Sequence, residues 1–210
     1  MKFHNIALAA TAAFTLGSLA TSAQALTPKE TSAILFMKQE EKLARDVYRN
    51  LHARWGLTVF ANIAQSEERH MGAVDSLILR YSLNDPTPAH PGKFTYPALQ
   101  KLHDQLVTQG AESAEAALNV GVVIEEADIA DLKESLSTAR TATVKMVFRN
   151  LLRGSRNHLE AFQKCLANGC DGTAQATQGK ATKRKVNQQN RGRRVRQSKW
   201  KQKTNRGRNR

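Results

Sequence analysis

The chain has 210 residues, enough for one ordinary domain with appendages, and a formal charge of +14. Fourteen of its 32 Lys and Arg fall in 173–210, a stretch without Asp or Glu, so residues 1–172 hold 18 basic against 18 acidic groups and are neutral. Two cysteines exclude a disulfide-dense or cysteine-rich metal fold, and 12 Gly and 5 Pro with no repeat of roughly 20–50 residues exclude collagen-like, Pro/Gly-rich and solenoid chains.

Residues 1–25 read as a secretory signal peptide. Lys2 and His4 give a weakly basic start, Ile6 to Ala20 is an uncharged apolar run, and Ala23-Gln24-Ala25 has the small-x-small pattern that precedes cleavage. A run of about 15 residues falls short of the roughly 20 needed to span a bilayer as a helix, which makes an uncleaved anchor the lesser alternative. The expectation is a secreted or periplasmic protein whose mature chain starts at Leu26 and has no transmembrane segment.

Thr27-Pro28-Lys29-Glu30 then has the spacing of a capping box, with proline at the first helical position where its missing N–H costs nothing. The helix it opens should run to about Arg54, before Trp55-Gly56. Thr58 is the expected cap of a second helix reaching about Tyr81, ended by Asn84-Asp85-Pro86. Residues 82–97 hold 4 of the 5 prolines and form a long crossover. A short helix follows Pro97 to about Val107, with a break at Gly110, and a third long helix spans about Ala111 to Leu136. Ser137 or Thr138 should cap the fourth, which continues to Leu166 and stops at Asn168-Gly169. Apolar spacings of three and four dominate and no alternation of period two is found. The pattern predicts an all-α, four-helix bundle over 26–170, with its long crossover between the second and third long helices. Cys165 and Cys170 would staple the end of the last helix as a disulfide in an exported protein; two free thiols are the alternative.

The apolar stripes of the four helices are interrupted by polar residues. Glu41 falls among Met37, Ala44 and Tyr48. Glu67 and His70 fill the two gaps in the series Phe60, Ile63, Val74, Leu77. Glu125 stands between Val122 and Ile129 with Asp128 bordering the same face, and Ser155 and His158 lie between Leu151 and Phe162. Such groups carry desolvation costs of about several kcal/mol per uncompensated ion, and cations between the helices would remove them. Glu67-x-x-His70 has the i, i+3 spacing that lets one helix face offer a carboxylate and an imidazole to one metal. Oxygen donors with imidazole nitrogen suit iron or manganese, and zinc is possible. Glu40, Glu68 and Glu126 sit roughly 100° away from their neighbours and read as helix surface, Glu126 least clearly. Tyr48 reads as a core aromatic or as a hydrogen-bond donor to a ligand carboxylate. His52, His90 and His103 read as surface or loop residues.

Residues 27–166 resemble a ferritin-like di-metal carboxylate protein, and more closely the ferritin-like family numbered 2202 among domains of unknown function. The segments that carry this are 40–48 (EEKLARDVY), 63–71 (IAQSEERHM), 124–129 (IEEADI) and 154–159 (GSRNHL). The resemblance implies Glu41, Glu67, His70, Glu125 and His158 as ligands of two divalent metal ions, iron first and manganese or zinc as alternatives. The sequence departs from the superfamily pattern at Ser155, where the fourth helix should carry a Glu; Glu125-x-x-Asp128 offers Asp128 as the replacing carboxylate. One metal, or two unequal sites, is the competing outcome.

From Lys180 onward the chain is nearly free of apolar residues. Lys183, Arg184, Lys185, Arg191, Arg193, Arg194, Arg196, Lys199 and Lys201 are expected to form a disordered tail over 171–210, attracted to polyanions by counterion release, with Trp200 able to stack on a base or sit in a lipid interface. Extracellular DNA, lipopolysaccharide or an anionic membrane surface are the candidate partners. Two functions follow as expectations. One is di-iron or di-manganese oxidase or peroxidase chemistry, served by a separate electron donor because no rubredoxin-like cysteine motif is present. The other is a non-catalytic helical binding protein with a structural metal, attached to anionic polymers by its tail. Assembly into a homo-oligomer is compatible with either.

Overall fold

The computed structural model describes residues 25–170; the expected signal peptide up to Gln24 and the basic tail from Asp171 lie outside the described residues. Within them the chain is all-helical: α1 Pro28–Trp55, α2 Thr58–Arg80, α3 Pro97–Gly110, α4 Ala114–Thr138 and α5 Ala142–Asn168. No described helix is long and apolar enough to cross a membrane. α1 pairs with α2 and α4 with α5 as two hairpins; α1 also packs on α4 and α2 on α5, which closes a ring of four. The long connection from α2 crosses the bundle and carries α3 onto the outside of α1 and α4.

The start of α1 follows the local signals. Thr27 accepts from the Glu30 amide at 3.2 Å while the Glu30 carboxylate accepts from the Thr27 amide at 2.9 Å, and Gly56 closes the helix at φ +67°, a conformation that a side chain would disfavour. Four boundaries differ from expectation, the simplest being α3, which continues to Gly110 instead of ending near Val107. α2 begins at Thr58 with Leu57 as its cap and no side-chain hydrogen bond, because Leu57 is drawn into the core. α4 is capped by Ser113 rather than starting at Ala111. α5 starts at Ala142, after neither Ser137 nor Thr138, and the two amides just ahead of it are met from another helix: one Glu30 oxygen accepts from Arg140 N at 2.8 Å and Thr141 N at 2.6 Å.

α1 is buried on nearly all sides from Phe36 to Tyr48, since the crossover lies on the face that sequence alone leaves to water. There the Lys42 ammonium donates to Asp46 (2.6 Å), His90 O (2.8 Å) and Lys93 O (3.2 Å), and Asp46 accepts from the Gly92 amide at 2.8 Å. Gln39 accepts from Thr95 N at 2.9 Å, and its amide group bonds the Thr95 hydroxyl. Glu40 is also buried, which corrects its reading as solvated surface. Cys165 and Cys170 form a disulfide at the end of α5.

The apolar core is split in two. One part gathers around Tyr48, Phe60, Leu51 and Phe162, the other around Ile34, Leu77, Leu132 and Phe148. Between them lies a slab of buried polar side chains.

Candidate metal centre

That slab holds every ligand position named from sequence. Glu41 comes from α1, Glu67 and His70 from α2, Glu125 and Asp128 from α4, and His158 from α5; Glu41, Glu67 and Glu125 are each 2 % exposed. Helical spacing explains the convergence. Each polar residue replaces an apolar one in its stripe, so packing of the stripes drives all of them to one level.

Glu67 is the hub. Its Oε2 lies 2.8 Å from His70 Nδ1 and its Oε1 2.9 Å from His158 Nδ1. His70 Nδ1 also reaches Glu41 Oε2 at 3.2 Å, and His158 Nδ1 stands 3.6 Å from Glu125 Oε2. The imidazoles stack with centroids 5.2 Å apart and planes at 29°. The buried Tyr48 hydroxyl donates to Glu125 Oε1 at 2.7 Å while its ring packs in the apolar core beside Phe60 and Phe162, so its two readings hold together. Ser155 turns its hydroxyl to Leu151 O at 2.9 Å and lies beside Asp128.

The electrostatics follow from burial and crowding. Burial would raise the Glu67 carboxyl, yet the close imidazoles of His158 and His70 hold it at about 2. Burial disfavours imidazolium, but Glu41 and Glu67 push His70 up to about 11, and Glu125 with Glu67 push His158 up to about 10. The remaining carboxyls rise through burial and then through like-charged neighbours: Glu125 to about 8, Asp128 to about 7, and Glu41 well above its ordinary value. Burial and the carboxylates around it raise Tyr48 as well, so its hydroxyl keeps its proton.

Four buried atoms of these residues lack any hydrogen-bonding partner of suitable geometry: Glu41 Oε1, Glu67 Oε1, Asp128 Oδ1 and His158 Nδ1. Glu67 Oε1 and His158 Nδ1 approach within ion-pair distance but not in a hydrogen-bonding orientation. Two donors about 2.1 Å from one cation and at right angles stand about 3.0 Å apart, so this approach is what two ligands of one ion would show. Glu67, His70 and His158 bring their ligand atoms within 4.8 Å of one another and form a group that could hold a metal ion. The residues present thus fit a cation.

Other expectations separate around this centre. Glu68 lies on the surface in ion pairs with Arg45 (3.2 Å) and Arg49 (2.8 Å). Glu126 is half-buried, and Glu125 is the inward member of that pair. His90 is exposed in the crossover; His52 bonds Leu57 O and His103 lies beside Asp104, both away from the centre. Sequence reasoning passed over Asp131, 2 % exposed and one turn beyond Asp128. Its i+3 spacing from Asp128 was the available signal.

Fold and site together define an all-helical bundle with a carboxylate–imidazole group able to hold a metal at its centre. The chain belongs to the family of the uncharacterized protein domain DUF2202, whose profile matches residues 30–187. The uncharacterized protein MJ0754 of Methanocaldococcus jannaschii is 42% identical over 146 residues, 69% of this chain and 79% of its own length. The crystal structure of the hypothetical protein MJ0754 from Methanococcus jannaschii superposes with a TM-score of 0.68 at 41% identity, covering 74% of this chain and 90% of that one. A DUF305 fragment from Deinococcus radiodurans shares the fold at 18% identity and a TM-score of 0.52, over 69% of this chain and 99% of that one.

Proposed function

We propose that the protein is an exported, ferritin-like metal protein that binds two divalent ions, iron foremost, and uses them in oxidase- or peroxidase-type chemistry. The observation that carries this is the set of orphaned carboxylate and imidazole atoms, drawn from all four bundle helices, between two apolar plugs. Glu67 would be shared between the ions because its two oxygens face different imidazoles. Glu41 and His70 would complete one side, and Glu125 and His158 the other, with Asp128 supplying the carboxylate that Ser155 does not. Bound iron supplies reversible one-electron redox chemistry with a small oxidant. The protein's part is to hold the ligands, to keep bulk water out with the flanking apolar clusters, and to fix Glu125 through the Tyr48 hydroxyl.

Elemental analysis of the protein from its native host, followed by O₂ or peroxide consumption with ferrous iron, tests the reading. Turnover should vanish in Glu67→Ala and in His158→Ala; unchanged turnover in either would refute it. A structural metal in a binding protein is the second reading, favoured by the concentration of 14 basic and no acidic residues in 173–210. On that reading the tail, with Trp200, anchors the bundle to DNA, lipopolysaccharide or anionic membrane. Deleting 173–210 should then abolish retention on a polyanion at moderate salt, and retention that survives deletion removes the tail from the account.

A further inference from the structure

We propose that Gly154 is a positioning residue for the metal site: the absent side chain at this place on α5 is the notch that receives the His70 imidazole of α2. The inference rests on the reading of the cluster as a metal centre and adds a residue that touches no metal.

A Cβ built at position 154 would lie 2.4 Å from His70 Nε2 and 2.6 Å from Cε1. Carbon does not approach a ring that closely, so one side must give. If the ring withdraws, Nδ1 leaves its places 2.8 Å from Glu67 Oε2 and 3.2 Å from Glu41 Oε2. If α5 backs away, His158, four residues further along the same helix, leaves Glu67 Oε1, now 2.9 Å distant. Either movement opens the ligand set at its hub.

Backbone conformation does not require the glycine, since the positive-φ glycines among the described residues are Gly56, Gly92 and Gly169. Helix propensity argues against glycine in a helix interior. Space is what remains. Gly72, on the exposed face of α2, shows the contrast, with nothing within 4 Å of its built Cβ. The notch also lies where the centre comes nearest to solvent: the His70 and His158 side chains are 13% and 10% exposed against 2% for Glu67.

The test is Co(II) titration of full-length wild type, Gly154→Ala, Gly72→Ala, His70→Ala and the double variant His70→Ala/Gly154→Ala, followed by the visible absorption of the bound ion. Gly154→Ala should lose at least tenfold in Co(II) affinity and change the band shape, while the circular-dichroism helicity of its metal-free form stays that of wild type, because alanine favours the helix and the clash acts on the ring and not on the fold. Gly72→Ala should bind like wild type. In the His70→Ala background, where no ring is left to displace, adding Gly154→Ala should change affinity less than twofold, the non-additivity expected of residues acting through one contact. Affinity within threefold of wild type in Gly154→Ala, or the same loss with and without His70, overturns the proposal. Absence of Co(II) uptake by wild type would instead bring down the metal reading, and this inference with it.

Discussion

Glu67 sets the proton balance of the centre. Its two carboxylate oxygens lie 2.8 and 2.9 Å from the Nδ1 atoms of His70 and His158, and with Glu41 and Glu125 it keeps the two imidazoles protonated to about 11 and about 10. A metal must therefore expel those protons to reach the nitrogens. Binding should release one to two protons per ion, measurable by calorimetry in buffers of different ionisation enthalpy, and apparent affinity should climb as pH rises from about 6 toward 10. The metal-free protein should behave in the opposite sense. A histidine whose folded value lies above its unfolded one, about 6.5, stabilises fully below that pH and loses its contribution as pH rises through the folded value. The melting temperature of metal-free protein should accordingly fall between pH 7 and 10, and a flat profile would mean that the imidazoles are not held by the carboxylates. Tyr48→Phe removes the donor to Glu125. It should weaken metal binding about 10–100-fold, as loss of a hydrogen bond to a ligand does, with little change in helicity by circular dichroism.

At the scale of elements, α1 is held at its N-terminus by Glu30 and along its middle by the crossover. Glu30 accepts from two amides at the α4–α5 corner as well as from its own cap. Burial would raise its carboxyl, but the amides of Thr27, Thr141 and Arg140 hold it at about 2. Its contribution is thus complete above the ordinary carboxylate value of 4.5 and is lost as pH falls toward about 2. Glu30→Gln should cost about 2 kcal/mol in urea denaturation at pH 7 and much less at pH 3, because charge-assisted hydrogen bonds are replaced by neutral ones. On the opposite face, Lys42 and Asp46 pin the crossover. Removing one partner of a buried pair costs roughly 3–5 kcal/mol. Asp46→Ala should lower the denaturation midpoint by that amount and speed hydrogen exchange across 90–95, whereas a purely local effect would leave exchange there unchanged.

Over the whole molecule, the two hairpins meet across a core that the polar slab interrupts. Carboxylates and imidazoles from both hairpins converge there, so a cation held by them would bind the hairpins to each other and not merely fill a gap. A ligand present at 100 times its dissociation constant adds about 2.7 kcal/mol to the folded state. Stripping metal from the native protein with a chelator should lower its melting temperature by several degrees, and re-addition of the metal should restore it.

The helices, their apolar stripes and the polar residues set into those stripes were legible along the chain, because a period of 3.6 places Glu67 and His70 among Ile63, Val74 and Leu77 without reference to any neighbour. The capping box at Thr27 and the stop at Gly56 were legible for the same reason, each being a contact within one turn. Tertiary structure alone decided which helix faces were covered. Lys42 and Asp46 read as surface until the crossover lies over α1, the start of α5 is set by Glu30 from 110 residues away, and Gly154 is an ordinary helix glycine until His70 of another helix occupies its notch. Local signals act through backbone geometry within a turn, whereas burial and close approach are properties of pairs of surfaces, and those pairs exist only once the hairpins have docked.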